Sequence, residues 1–296
     1  MSSHFYNKAE DSAVLSSQGS TSFHYSFTFL SREERHAINA VYAFCRRIDD
    51  IVDEEVAATP IEVQLKLDRL NWWRLEINNV YDGSSTSKLV APLAQVVQRF
   101  GIPKQYLLTL IDGCERDLYQ KRYKTFGELK EYCYAVASIV GLICIEIFGY
   151  KHEETRNYAI NLGYALQLTN ILRDVKADKD RGFIYLPLED LDRFKYSESD
   201  LKSEIYNERF VDLMSFQASR AREYYHKART LLRPDERSSM VAAEIMDAIY
   251  HRLLEKIELS EFRVFNRRVR VSTSHKVLTA FRIWLGNKLF VRRMIG

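Results

Sequence analysis

The stretch QLTNILRDVKAD, Gln167 to Asp178, decides how this chain is read. Leu166, Leu168, Ile171, Leu172 and Val175 are the residues of a buried helix, while Gln167, Asn170, Asp174 and Asp178 recur three or four residues apart. Amides and carboxylates striping an otherwise apolar helix face something other than bulk water.

Helical periodicity continues outward from this stretch in both directions. Ser31 followed by Glu34 makes a capping box before EERHAINAVYAFCRRIDDIVDEE, and Thr59 with Pro60 starts a second helix that Gly83 ends. Further helices are expected from about Leu89 to Phe100, Pro103 to Lys121, Phe126 to Phe148, Glu153 to Lys179, Phe210 to Leu232, Glu236 to Leu259 and Ser274 to Arg292. Only DKDRGFIYLPLEDLDRFKYSESD reads as a long irregular segment. No strand pattern competes, and no linker, repeat or composition shift divides the chain, so the spacing predicts an all-α protein of about ten helices in one domain over 1–296.

Composition narrows the function. With 43 basic and 40 acidic residues the charge is too balanced to suggest a nucleic-acid partner, and 46% hydrophobic residues suffice for a large core. Cys45, Cys114, Cys133 and Cys144 lack CxxC spacing and read as reduced core residues of a cytoplasmic protein. The N-terminus lacks a signal-peptide pattern, and the longest uncharged run, Tyr132 to Ile145, is shorter than a membrane span requires. The C-terminal HKVLTAFRIWLGNKLFVRR is basic and amphipathic, suited to docking on the body or to a membrane surface.

A second acidic stripe lies in the first helix. Asp49 and Asp53 are one turn apart, with Arg46 and Tyr42 on the turns before them. Paired carboxylates on two helices suit hard cations, and Mg²⁺ is commonly held by one or two carboxylates together with substrate phosphates. A diphosphate is the expected ligand, with Arg46 and Arg173 able to grip its oxygens. The plainer alternative is exposed carboxylates in salt bridges; two matched stripes on apolar helices weigh against it. A di-iron bundle, built on Glu-x-x-His pairs, is the competing metal reading.

These residues resemble the squalene/phytoene synthase family, the trans-isoprenyl diphosphate synthases that join two prenyl diphosphates head to head. YAFCRRIDDIVDE is similar to the family's first aspartate-rich motif and YALQLTNILRDVKADKDRGFIYLP to its second, and the likeness runs from STSFHYSFTFL to RRVRVSTSHK. The resemblance implies the isoprenoid synthase fold, helices around a central cavity. It implies that Asp49, Asp53, Asn170, Asp174 and Asp178 bind Mg²⁺, for which Mn²⁺ can substitute. Ser20, Ser22, Phe23, Arg46, Arg173, Tyr185, Arg268 and Lys276 match diphosphate-contacting positions. Tyr42, Tyr132, Gln167 and Tyr250 match the chamber lining, with Tyr132 or the released diphosphate as proton acceptor. Phe23, Phe44, Tyr42 and Tyr132 are the candidate rings to stabilise an allylic cation.

Within the family the chain is most similar to bacterial presqualene diphosphate synthases of hopanoid-type squalene synthesis, through LNWWRLEI, YCYAVASIVGLICIEIFGY and AIYHRLLEKIE. The expected reaction converts two farnesyl diphosphates to presqualene diphosphate. The alternatives are a phytoene synthase using geranylgeranyl diphosphate, a dehydrosqualene or squalene synthase, and a non-catalytic helical assembly factor. There is no GxGxxG fingerprint, and NADPH is not expected. Expected partners are the prenyl diphosphates, a downstream squalene-pathway enzyme and a peripheral contact with the inner membrane. Two departures from the family pattern stand out: Ser138 replaces a glycine and is expected to narrow the substrate channel, and Phe183 replaces a basic residue, which removes a diphosphate contact for which Arg181 can compensate.

Overall fold

The computed structural model describes residues 26–53 and 59–295, with side chains to 288. Ser20, Ser22 and Phe23 lie outside the described residues.

Helix α1, Arg32–Asp53, opens on the expected capping box: the Ser31 N–H donates to Glu34 Oε2 at 2.8 Å and the Glu34 N–H to Ser31 Oγ at 3.2 Å. Helix α2, Pro60–Tyr81, opens on the reciprocal Thr59–Glu62 box. Helices α3, Ala91–Phe100, and α4, Lys104–Glu115, come next; α4 tightens into a 3₁₀ turn, Arg116–Leu118, instead of running on to Lys121. Helices α5, Phe126–Cys133, and α6, Ile139–Phe148, are joined by a π-helical turn, Tyr134–Ser138. Helix α7, Glu154–Asp180, carries the opening stripe.

The stretch expected to be irregular contains two short helices, α8, Leu188–Arg193, and α9, Glu198–Lys202. Helices α10, Glu208–Leu231, α11, Val241–Leu259, and α12, Thr273–Ile295, complete the chain, and no strand occurs among the described residues.

Helix α7 is the axis of the fold. It buries residues on most sides, from Thr155 and Tyr158 to Leu172 and Val175, as a helix enclosed by others must. Helix α10 packs along it, with the π turn, α6 and α11 against its other sides. Two glycines permit that closeness. A Cβ on Gly163 would lie 2.5 Å from Ser138 Cα, and one on Gly113 of α4 would lie 2.6 Å from Ala135 Cβ. The π turn is pressed between α4 and α7 at both positions. The continuous run Phe126–Phe148 is long and apolar enough to cross a membrane, contrary to the reading from uncharged residues alone, but Leu129, Ile139, Leu142 and Ile143 are buried in the core.

Candidate active site

Helices α1, α4, α6, α7 and α11 and the π turn line a chamber that opens to the surface. Ile38, Val41, Tyr42, Cys45 and Asp49 face it from α1 at helical spacing, and Leu162, Leu166, Gln167 and Asn170 from α7. Small residues, Ala137, Gly141, Ala159 and Gly163, leave the room that larger ones would fill. Most of the wall is apolar, and Asp49, Gln167 and Asn170 mark its polar end.

At that end the two acidic stripes are tied together. Arg181, just past α7, pairs with Asp53 at the end of α1 at 2.5 Å. Asp49 lines the chamber and is accessible there, with the body of the protein packed around it. Burial pushes its carboxyl up to about 6, against a hydrogen bond from the Cys114 thiol and with help from the negative charge of Asp53. Burial and neighbouring Asp174 likewise raise Asp178 to about 7. Asp174 differs. Burial would raise it too, but Arg173 and Arg268 outweigh that and hold it below the ordinary range. Lys276 stands near Arg173, and burial and that like charge lower its pKa. Arg173, Arg268 and Lys276 thus form a cationic group beside an acidic one, an arrangement with the charges to hold a cation and an anion side by side.

The donor set fits divalent ions. It is all oxygen, the Asn170 Oδ1 is buried without a partner, and the raised carboxylates are short of positive charge. Among the described residues no three Asp, Glu, His or Cys side chains converge as a ready cage. That suits ions held by one or two carboxylates and completed by substrate phosphates.

Comparison with known proteins gives the family and the fold. The squalene/phytoene synthase family model matches residues 16–275. The chain belongs to the squalene/phytoene synthase family. It is 35% identical to a 15-cis-phytoene synthase of Synechocystis sp., over 92% of this chain and 82% of that one. It is 37% identical to a phytoene synthase of Mycobacterium tuberculosis, over 87% and 84%. The solved structure of a dehydrosqualene synthase with a ligand superposes with a TM-score of 0.79 at 27% identity, covering 95% of this chain and 96% of that one. The fold is therefore the all-α isoprenoid synthase fold, and the family is one of divalent-metal-dependent prenyltransferases that condense prenyl diphosphates head to head.

Not every residue matched to the squalene/phytoene synthase motifs sits where the motif suggests. Tyr42, Gln167 and Tyr250 line the chamber. Tyr132 does not. It is 5% exposed behind the lining, donating its hydroxyl proton to Asp117 Oδ2 at 2.8 Å and packing against Tyr185. Phe44 also points away, edge-on to Trp73 with ring centroids 5.5 Å apart. Arg46 turns to Asp50 at 2.8 Å rather than to Asp49. Ser138 is fully buried against α7, its hydroxyl donating to the Ile160 carbonyl at 2.8 Å, so it does not narrow the channel. Phe183 stacks on Tyr185, with Lys121 Nζ 5.4 Å and the Arg181 guanidinium 5.6 Å from its ring, so cations flank the residue that replaces one. Cys114 and Cys133 are buried, whereas Cys45 and Cys144 line the chamber.

Asp117 has no signal in the sequence that sets it apart. It accepts hydrogen bonds from Tyr132 and, at 3.1 Å, from Tyr185. Burial raises it to about 7 against those bonds, and Asp53 and Asp49 add to the rise. In sequence it looks like one more charge at the end of a surface helix, and its tyrosine partners lie 15 and 68 residues away.

Proposed function

We propose that this protein joins two geranylgeranyl diphosphates head to head to form phytoene. The observation that carries the reading is the apolar chamber ending at a paired acidic and cationic mouth, which suits two long tails with diphosphate heads. The choice of tail is supported by relatives at 35% and 37% identity that are phytoene synthases. The first expectation, presqualene diphosphate from farnesyl diphosphate, gives way to its stated alternative on that ground.

In this reading Arg173, Arg268 and Lys276 bind phosphate oxygens, and Tyr185 orders the loop after α7 through Asp117 and Phe183. Divalent ions held by Asp49, Asp53, Asn170, Asp174 and Asp178 would neutralise charge on the leaving diphosphate. The first carbon–oxygen bond ionises to an allylic cation, which Leu162 and Leu166 shield from water and the rings of Tyr42 and Tyr250 stabilise. The double bond of the second substrate attacks it, and loss of a proton closes a cyclopropane. We assign that proton to the released diphosphate, because Tyr132 stands behind the lining with its hydroxyl already committed to Asp117. Departure of the second diphosphate, ring opening and loss of another proton then give the central double bond, so no reductant is consumed.

So apolar a product favours release at a bilayer. Helix α12 exposes Val277, Leu278, Phe281 and Leu285 beside Arg282 and Lys288, a basic amphipathic face suited to an anionic membrane surface.

The test is incubation with Mg²⁺ and equal amounts of farnesyl and geranylgeranyl diphosphate, with mass spectrometry of polar and apolar extracts. Phytoene as the main product is expected. Presqualene diphosphate or dehydrosqualene formed in preference would overturn the choice of tail, and no head-to-head product would overturn the activity.

A further inference from the structure

Helix α7 runs the length of the chamber. Its lining residues extend from Tyr158 to Asn170, an axial span of about 18 Å at the rise of an α-helix. Asn170 belongs to the diphosphate end. At the other end stand Tyr158, Phe148 of α6 and Met246 of α11.

Tyr158 alone among the described residues lines both the chamber and a second, open cavity walled by α10, α11 and α12. The two cavities differ in chemistry. The second mixes apolar side chains with charged ones, Arg229 paired to Asp247 at 2.6 Å and Arg237 to Glu244 at 2.5 Å. Tyr158 is 1% exposed, and its hydroxyl has no hydrogen-bond partner. The charges acting on that hydroxyl are Asp247, Glu244, Arg237 and Arg229, so the phenol end belongs to the polar side. The ring belongs to the apolar side. A phenylalanine would pack equally well without burying an unpaired hydroxyl, so core packing alone does not account for a tyrosine. A partition between an apolar and a charged compartment does, because tyrosine has one surface for each.

We propose that Tyr158 is the floor of the chamber and sets the longest prenyl tail it accepts, a role that rests on the condensing activity proposed for the site. A tail long enough to reach the ring would have to force this fully packed side chain out of its place between the two compartments. Substrates that end before the ring escape that penalty.

The experiment measures binding, so that it does not depend on turnover. Farnesyl, geranylgeranyl and geranylfarnesyl S-thiolodiphosphates, which ionise poorly, are titrated calorimetrically with Mg²⁺ into the wild type and into Tyr158→Ala, Tyr158→Leu and Tyr158→Phe. The wild type should bind the geranylfarnesyl analogue about tenfold more weakly than the geranylgeranyl analogue, the scale of discrimination a close-fitting apolar pocket provides. Tyr158→Ala should remove that penalty and Tyr158→Phe should keep it. Tyr158→Leu, which retains an apolar filler if alanine disrupts the core, should reduce it. A penalty that persists in both shortened variants, or is absent from the wild type, overturns the assignment. A length limit that moves with Tyr158 in a protein forming no head-to-head product would support the floor and refute the activity.

Discussion

The Arg268 guanidinium grips Asp174 across 94 residues of sequence, Nε to Oδ1 at 2.8 Å and Nη2 to Oδ2 at 3.1 Å. The segment before α12 is thereby fastened to the acidic stripe of α7, and a cation is placed where a diphosphate would arrive. Arg268→Gln should raise the KM for prenyl diphosphate by about tenfold, the loss of one charge-assisted contact. Half-exposed ion pairs contribute little to stability, so the variant should lose no more than about 1 kcal/mol. Steady-state kinetics with a melting curve checks both, and an unchanged KM would remove Arg268 from the diphosphate site.

Stability without divalent ions should fall as pH rises. Asp49, Asp117 and Asp178 are held at about 6, about 7 and about 7 against an ordinary 3.8. Between those values the folded protein holds more protons than the unfolded chain, so ionisation opposes folding and the loss is complete above the raised values. Asp174, held low, has the opposite sign, but its contribution is lost only below the ordinary value, outside this window. Melting temperatures should therefore decline from about pH 5 to about pH 8, with Asp178→Asn flattening the slope and Mg²⁺ restoring stability at the upper end. A melting temperature that climbs through this range would contradict the raised carboxylates.

Ser138→Gly should cost about 1–2 kcal/mol, from the lost hydrogen bond to Ile160 and the added backbone freedom. Tail-length preference should not change, because the side chain faces α7 and not the chamber. A changed product length at undiminished stability would show that Ser138 reaches the substrate after all.

Ser138 shows where sequence pattern stops being informative. Capping boxes at Ser31 and Thr59 mark helix starts because the signal is local, complete within four residues. The π turn at Tyr134–Ser138 is not local. It lies where Gly113 and Gly163, on two other helices distant in sequence, come close to Ala135 and Ser138. Helix α9 is illegible although its Ser197–Asp200 capping box is present, because five residues are too few to show a period. The aspartate stripes are readable because i,i+4 spacing survives in any regular helix. Asp117 is not, since nothing near it in sequence marks its two tyrosine partners.

Replacing Phe281 and Leu285 by serine should weaken co-sedimentation with anionic vesicles by at least about a hundredfold, given the transfer energy of two large apolar side chains. Neutral vesicles should bind the wild type less well. Equal recovery of variant and wild type would remove α12 as the membrane contact.

The most direct test of the site is Asp174→Asn. The substitution keeps the size of the side chain that Arg173 and Arg268 hold while removing the charge. Diphosphate release from geranylgeranyl diphosphate is measured against Mg²⁺ concentration, with helix content monitored by circular dichroism. Helix content should be retained and release should fall by at least about a hundredfold, the scale for losing one preorganised electrostatic group. Wild-type release with an unchanged Mg²⁺ dependence would contradict the assignment of the α7 stripe to metal and diphosphate.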